Sequence, residues 1–288
     1  MSLAPPPTDR RLTPATDRVA HDSLRGLLER PAYTAGRPAR LAVPLADLTA
    51  APDGRRDRQV NFGADLTVID ARDGWAFVRA ALDGYCGWLP EAALAYDLPP
   101  ITHRVTAPAS HVYSEPDIKR PEIHGLSLGA RLSVEAVEGR FARLATGGHV
   151  PVQHIGDQPA VDPVAVAESL LGTPYLWGGN SRWGIDCSGL AQAALTACDI
   201  PCPGDSDLQR EAFPGVKDIR RGDLLFWPGH VAIAASAELM IHATAWKMAV
   251  IREPVAEAVA RIDAMGEGPF LGAHRPSSSV RKYPGGIA

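Results

Sequence analysis

Residues 173–190 read TPYLWGGNSRWGIDCSGL, and this stretch contains a cysteine, Cys187, whose surroundings suit a nucleophile. Helix-forming residues follow it, which predicts a helix from Cys187 to about Cys198. The sequence Asp186-Cys187-Ser188 then lies at the helix start, where unpaired backbone N–H groups and the helix dipole favour a thiolate. We therefore expect the pKa of Cys187 to lie below the free value of about 8.5.

Two short apolar runs further along the chain each carry a histidine. In GHVAIAA (229–235) and ELMIHAT (238–244) the large apolar residues stand at odd positions. If the runs form an antiparallel hairpin with that face buried, His230 and His242 lie side by side on the even face. The small Ala232 and Ala234 on the even face leave room for the helix end that carries Cys187. This grouping supplies a nucleophile, a base and a group that orients the base.

Four segments, taken in order, resemble the NlpC/P60 cysteine peptidases: YLWGGNSRWGIDCSGL, RGDLLFW, GHVAI and IHAT. The resemblance covers residues 162–276 and implies an α+β fold with a papain-like catalytic domain. It also implies Cys187 as the nucleophile, His230 as the general base, His242 as the orienting residue and Tyr175 as a donor to the oxyanion. No metal or organic cofactor is implied.

The resemblance further implies a γ-D-glutamyl-L-diamino acid endopeptidase, which would cleave the γ-D-glutamyl–diaminopimelate bond of short murein peptides in cell-wall recycling. By position, the residues that would bind a substrate with a free N-terminal L-alanine are Asp186, Ser188, Ser206 and, from an upstream domain, Tyr85. A carboxylate such as Asp186 suits an ammonium group. One departure from the pattern stands at Gly204, where related enzymes often carry an arginine before the aspartate.

The region before the catalytic segment divides into three parts. Residues 1–37, rich in Pro, Arg and Asp, predict an N-terminal arm with a short helix around Val19 to Arg30. Residues 38–98 contain short β-like runs separated by PDG and DG turns, which predicts a small barrel. Residues 99–157 repeat that pattern loosely. Both modules resemble bacterial SH3-like domains.

Composition narrows the possible partners and compartment of the 288-residue chain. The formal net charge of −4 disfavours nucleic acid. The N-terminus lacks the apolar run of a secretory signal, and nothing later reaches membrane-spanning length. The four cysteines, Cys86, Cys187, Cys198 and Cys202, do not suggest a disulfide framework. We expect a cytoplasmic enzyme that acts on a small murein peptide and has no nucleic-acid or membrane partner.

Several alternatives remain open at this point. Cys187 could be a buried core residue, and Asp186 could serve mainly as a helix cap. Cys198 and Cys202 could join histidines at a metal, although their spacing favours core packing. Tyr85 fits a barrel core as well as a substrate pocket. A murein-binding protein with a degenerate catalytic domain, an acyl transferase and an N-acetylmuramoyl-L-alanine amidase are the rival functions.

Overall fold

The structure is a computed structural model that describes residues 9–277. Residues 1–8 of the predicted arm lie outside the described residues. The rest of the arm contains two short parallel strands, β1 (Val19–His21) and β2 (Ala32–Thr34). The predicted helix between Val19 and Arg30 is wrong: only a single 3-10 turn, Asp22–Leu24, forms there. Gly26 adopts a φ of +75°, a left-handed conformation that ends any helix in this segment.

A seven-stranded antiparallel sheet follows, in the order β5-β4-β8-β7-β6-β3-β9. Its core consists of side chains such as Leu41, Leu48, Val78 and Leu89. The sheet begins one residue before the predicted boundary at 38. Its strands are β3 (Arg37–Leu41), β4 (Leu45–Thr49), β5 (Arg56–Asn61), β6 (Asp65–Arg72), β7 (Trp75–Ala80), β8 (Cys86–Pro90) and β9 (Leu94–Ala95).

The second module has a five-stranded sheet, β12-β11-β16-β15-β14, and a three-stranded sheet, β13-β10-β17. Phe62 of the first module inserts into its core beside Leu126 and Leu132, so the two modules pack together. The strands are β10 (His103–Val105), β11 (Ala109–Tyr113), β12 (Glu122–Ser127), β13 (Arg131–Leu132), β14 (Val134–Glu138), β15 (Phe141–Leu144), β16 (His149–Pro151) and β17 (Ile155–Gly156).

The C-terminal unit is an antiparallel sheet with helices on both faces, which confirms the α+β prediction. Its six-stranded sheet has the order β20-β25-β21-β22-β23-β24. Its elements are α1 (Pro163–Ser169), β18 (Asn180–Ser181), β19 (Gly184–Ile185), α2 (Cys187–Ala197), α3 (Ser206–Ala212), β20 (Gly215–Val216), β21 (Leu224–Trp227), β22 (His230–Ala234), β23 (Leu239–Thr244), β24 (Ala249–Pro254), α4 (Val255–Ala264) and β25 (Gly272–His274). The division of the chain into domains at residues 37, 98 and 157 stays a prediction.

The face on which the cysteine helix packs differs from the prediction. Strands β22 and β23 are antiparallel, with Ile233 opposite Ile241. Helix α2 packs on the odd, apolar face of these strands, where Leu190 joins Val231 in one core. Helix α4 covers Ala232 and Ala234 on the even face. Both faces of the sheet are therefore buried, and the small alanines make room for α4 rather than for α2.

No helix between residues 9 and 277 combines the length and apolar character that crossing a lipid bilayer requires.

Candidate active site

Cys187 is the first residue of α2 and is 7% exposed. Its Sγ lies 4.0 Å from the carbonyl oxygen of Gly229. The backbone N–H of Val231 also donates to this sulfur. Because Gly229 and Val231 flank His230, the sulfur lies against the backbone of the residue predicted to be its base. Helix α2 thus packs on the odd face of the sheet, and the thiol at its first residue lies beside the start of β22.

His230 and His242 are paired as predicted. Nε2 of His230 lies 2.9 Å from Nδ1 of His242. The pairing leaves Nδ1 of His230 as the ring nitrogen that does not contact His242. His242 is completely buried, so its ring is held in place by the surrounding core.

The electrostatics of the resting site differ from the prediction. Burial raises the pKa of Cys187 to about 12, and the adjacent Asp186 carboxylate acts in the same direction. Backbone N–H groups of Val231 and Ser188 oppose this rise but do not cancel it. The expected lowering of the Cys187 pKa is therefore wrong for the free enzyme, because loss of water outweighs the helix start. The resting group is a neutral thiol.

Both histidines also favour their neutral form. Burial lowers the pKa of His230 to about 3, assisted by the charges of His242 and Arg261 and opposed by Glu253. Burial also lowers the pKa of His242 to about 4, with Arg261 adding to the effect. A neutral imidazole can accept a proton, which is the state a general base requires.

Tyr175 packs half-buried against the core that includes Cys187. Burial raises the pKa of its phenol, and an ionised Cys187 and the Asp186 carboxylate would both act in the same direction. The hydroxyl therefore stays protonated and can donate a hydrogen bond. Together with the backbone N–H groups at the start of α2, it is suited to the predicted role at an oxyanion.

The carboxylate of Asp186 accepts three hydrogen bonds from residues close to it in sequence. Oδ1 accepts from the backbone N–H of Gly189 at 2.7 Å and from the hydroxyl of Ser188 at 3.0 Å. Oδ2 accepts from the N–H of Gly178 at 2.9 Å. Asp186 thus caps α2 and fixes the loop before it. The substrate-binding roles of Asp186 and Ser188 stay predictions.

Tyr85 of the first module and Ser206 of the C-terminal unit both neighbour Asp205. The ring of Tyr85 lies in the barrel core, while its hydroxyl donates to Oδ2 of Asp205 at 3.3 Å. Ser206 follows directly, as the first residue of α3. Gln209 of α3 donates to the carbonyl of Ser188 at 2.9 Å, which ties this corner to the first turn of α2. Asp205, a carboxylate beside two predicted binding residues, was not among the residues predicted from sequence.

Arg58 of the first module takes the space beside Gly204. A Cβ at position 204 would overlap Nη1 of Arg58. This guanidinium forms a buried ion pair with Asp83 and donates to Gln192 of α2. Since related enzymes often carry an arginine at this loop position, Arg58 places a guanidinium there from a different part of the chain. The departure at Gly204 thus has a physical explanation.

The N-terminal arm reaches the same corner with two arginines. Arg10 forms two hydrogen bonds with Asp57, at 2.7 and 2.9 Å. Arg11 bridges Asp205 at 2.7 Å and Asp207 at 2.6 Å. The arm therefore joins the first module to the loop that carries Ser206. No local sequence signal indicates this contact, because Arg11 and Asp205 are 194 positions apart in the chain.

Behind the histidines lies a buried charge pair that was also not predicted from sequence. Oε2 of Glu253 lies 3.0 Å from Nε2 of His242 and 2.8 Å from Nη2 of Arg261. The signal that could have revealed it is strand alternation, since Glu253 is two residues beyond Ile251, the cross-strand partner of His242.

Cys198 and Cys202 do not form a metal site with the histidines. Cys202 is buried, with its sulfur 3.6 Å from the carbonyl of Pro203, and Cys198 ends α2. Among residues 9–277, no three His, Cys, Asp or Glu side chains are grouped to hold a metal ion.

Comparisons with known proteins agree with this architecture. A model of the NlpC/P60 family matches residues 172–264, and one described as a bacterial dipeptidyl-peptidase Sh3 domain matches residues 48–94. Dipeptidyl-peptidase 6 of Lysinibacillus sphaericus is 30% identical over 232 residues, which are 69% of this chain and 85% of that protein. The γ-D-glutamyl-L-lysine dipeptidyl-peptidase of Bacillus subtilis is 30% identical over 213 residues, 64% of this chain and 71% of that protein.

Among solved structures, an NlpC/P60 family protein from Bacillus cereus superposes with a TM-score of 0.70 at 23% identity, covering 83% of this chain and 99% of that chain. The fold and these matches define a cysteine peptidase with a papain-like catalytic domain behind a bacterial SH3-like module. The chain belongs to the NlpC/P60 family. The family resemblance and fold class predicted from sequence are thus confirmed, while the SH3-like assignment of residues 99–157 stays a prediction.

Proposed function

We propose that this peptidase hydrolyses the γ-D-glutamyl–diamino acid bond of short peptidoglycan peptides that carry a free N-terminal L-alanine. The observation that carries the proposal is the position of the Cys187 thiol against the backbone of His230, whose ring is paired with His242. A buried thiol, a neutral imidazole and a second imidazole that orients it form a nucleophile, a base and a positioning group. A degenerate binding protein would have no need of this arrangement.

In the proposed reaction the sulfur of Cys187 attacks the γ-carbonyl carbon of D-glutamate while its proton passes to Nδ1 of His230. Because the resting thiol and imidazole are both neutral, proton transfer accompanies the attack. The oxyanion accepts hydrogen bonds from N–H groups at the start of α2 and from Tyr175. His230 then protonates the departing amine, leaving a thioester. Water attacks the thioester with His230 as base; the C–S bond breaks, the carboxylic acid is released, and His230 returns the proton to the sulfur of Cys187.

The acidic corner beside Ser206 supports the requirement for a free amine. Asp205 presents a carboxylate between Tyr85 and Arg11, and it is partly exposed. A substrate ammonium can bind this carboxylate by a charge-assisted hydrogen bond. An N-acetylmuramoyl group on the alanine nitrogen would remove the positive charge of the ammonium. It would also add a bulky group close to the first module. The corner therefore favours a peptidase for free peptides over an amidase.

The names of two relatives support the proposed choice of bond. The Bacillus subtilis relative is named for a γ-D-glutamyl-L-lysine linkage, and the Lysinibacillus sphaericus relative for the release of dipeptides. We propose diaminopimelate as the diamino acid and recycling of cell-wall peptides in the cytoplasm as the setting. Four free thiols are consistent with a reducing compartment.

Liquid chromatography with mass spectrometry tests the proposal directly. The purified enzyme is incubated with L-Ala-γ-D-Glu-meso-diaminopimelate, with the L-lysine analogue, and with each peptide N-acylated by N-acetylmuramic acid. We expect release of L-Ala-D-Glu from the free peptides only. Release of the muramoyl group would identify an amidase. Cleavage of acylated and free peptides at the same bond would contradict the free-amine requirement, and cleavage of none would contradict the proposed substrate.

A further inference from the structure

A buried carboxylate, Glu253, lies next to the histidine pair, beside His242. Its Oε2 lies 3.0 Å from Nε2 of His242. The carboxylate is 6% exposed and is held by Arg261 through two contacts, Nε to Oε1 at 2.9 Å and Nη2 to Oε2 at 2.8 Å. The guanidinium of Arg261 stacks on the ring of Trp246, 4.3 Å from its centroid. The carboxylate of Glu253 is thus held by Arg261 and lies next to His242, the orienting histidine.

The geometry points to Glu253 as a positioning residue that sets the tautomer of His242 and, through it, the ring of His230. This inference rests on the roles proposed above for Cys187, His230 and His242. A base that takes the thiol proton at Nδ1 must carry its own proton at Nε2, and that proton is donated to Nδ1 of His242. A neutral His242 then carries its proton at Nε2, facing Glu253. A carboxylate only accepts, so it selects this tautomer.

The buried state of His242 makes such an acceptor necessary. The carboxylate oxygen lies within hydrogen-bond distance of Nε2 but away from the direction of the ring N–H, so that this buried nitrogen lacks an aligned partner. A buried donor that has no acceptor destabilises the folded state. Catalytic hydrogen bonds are often poorly aligned in the free enzyme and tighten when substrate binds. Glu253 is the carboxylate placed to provide that alignment.

The charged groups around the histidines act in opposite directions. Glu253 on β24 stabilises a protonated His230, whereas Arg261 on α4 disfavours it. On the side of α2, the ionisable groups are Cys187 and its neighbour Asp186. Lys247 lies over the ring of Trp246, 4.1 Å from its centroid. Removing Glu253 or Arg261 should therefore shift the titration of the base in opposite directions.

The test compares Glu253→Gln with a matched control, Asp223→Asn. Asp223 is also a buried carboxylate of the same domain; it pairs with Arg275 at 2.8 Å and accepts from the backbone N–H of Arg220 rather than from a histidine. Two readouts are used: the pH profile of kcat/KM for the peptide substrates, and the rate at which iodoacetamide modifies Cys187, followed by peptide mass spectrometry. We expect Glu253→Gln to lower kcat about 10- to 100-fold, to slow modification of Cys187 and to move the acid limb of the profile to lower pH.

Arg261→Gln is expected to move the acid limb to higher pH. The double variant Glu253→Gln/Arg261→Gln removes both charges, and should recover thermal stability without recovering kcat. A purely structural ion pair would instead make Glu253→Gln behave like Asp223→Asn, with lower stability but an unchanged acid limb and modification rate. That result would overturn the inference.

The two readouts separate this inference from the proposed function. If no peptide is cleaved but Glu253→Gln still slows modification of Cys187, the proposed substrate is wrong and the positioning role stands. If the peptides are cleaved and Glu253→Gln matches the control in both readouts, the positioning role alone is wrong.

Discussion

The guanidinium of Arg58 fills the space where a side chain at position 204 would lie. Arg58 belongs to β5 of the first module, and Gly204 precedes the acidic corner formed by Asp205 and Ser206. The buried pair between Arg58 and Asp83, extended by Gln192 of α2, ties the module to the helix that begins with Cys187. The SH3-like module therefore packs directly against the helix that begins with Cys187 and against the loop before Ser206.

Gly204→Ala is expected to destabilise the protein by about 2 kcal/mol, because the added methyl displaces a buried, paired guanidinium. Urea unfolding followed by tryptophan fluorescence measures the change. Gly215→Ala is the matched control, since the nearest atom to a Cβ there is 3.9 Å away. Equal stability of the two variants would contradict the packing described for Arg58.

The raised pKa of Cys187 predicts a neutral thiol across the physiological range. We expect no rise in the 240 nm absorbance difference between wild type and Cys187→Ala from pH 5 to pH 9. Burial disfavours the thiolate, so that ionisation begins only as the pH approaches about 12. A thiolate already present at pH 6 would mean that Cys187 and His230 rest as an ion pair, which would contradict the neutral resting state.

Acid should destabilise the fold through His242. Its pKa is about 4 in the folded protein, below the ordinary value of 6.5, so the unfolded chain binds more protons between these two pH values. Stability contributed by the neutral ring is present above pH 6.5 and is lost as the pH falls toward 4, by about 3 kcal/mol at pH 4. Urea unfolding of wild type and His242→Asn from pH 4 to 7 measures this loss. We expect a shallower acid dependence in the variant, and parallel curves would contradict it.

Arg11→Ala should lower stability by about 1 kcal/mol, because Asp205 and Asp207 lose the cation that they share. The loss should shrink at 1 M salt, where charge interactions are screened. Arg120→Ala is the control, since the pair between Arg120 and Glu115 is exposed and remote from the arm. An Arg11→Ala effect no larger than the control would mean that the arm does not stabilise this corner.

Sequence patterns predicted the features that depend on residues close together in the chain. Alternation within two short strands placed His230 beside His242, and helix-forming residues after Cys187 gave the start of α2. Alternation cannot say which helix covers which face, so the placement of α2 over Ala232 and Ala234 was wrong. The pKa of Cys187 was also predicted in the wrong direction, because a helix start is visible in sequence whereas burial at 7% exposure is not.

Contacts between distant parts of the chain left no local signal. Arg11 pairs with Asp205 although they are 194 positions apart, and Arg58 of another module lies against Gly204. Single arginines and aspartates are common surface residues, and only the tertiary structure brings these into pairs. Glu253 lies nearer in sequence to His242, but its pairing requires the register of β23 and β24 to be known.

The central claim is that Cys187 performs the chemistry, and the steady-state rate of L-Ala-D-Glu release measures it most directly. Cys187→Ala is compared with wild type and with Cys202→Ala, which removes another buried thiol of the same domain. We expect Cys187→Ala to lower kcat by at least about 10⁴-fold and Cys202→Ala to change it by less than about tenfold. A Cys187→Ala enzyme that retains more than about 1% of wild-type kcat would contradict the assignment of the nucleophile.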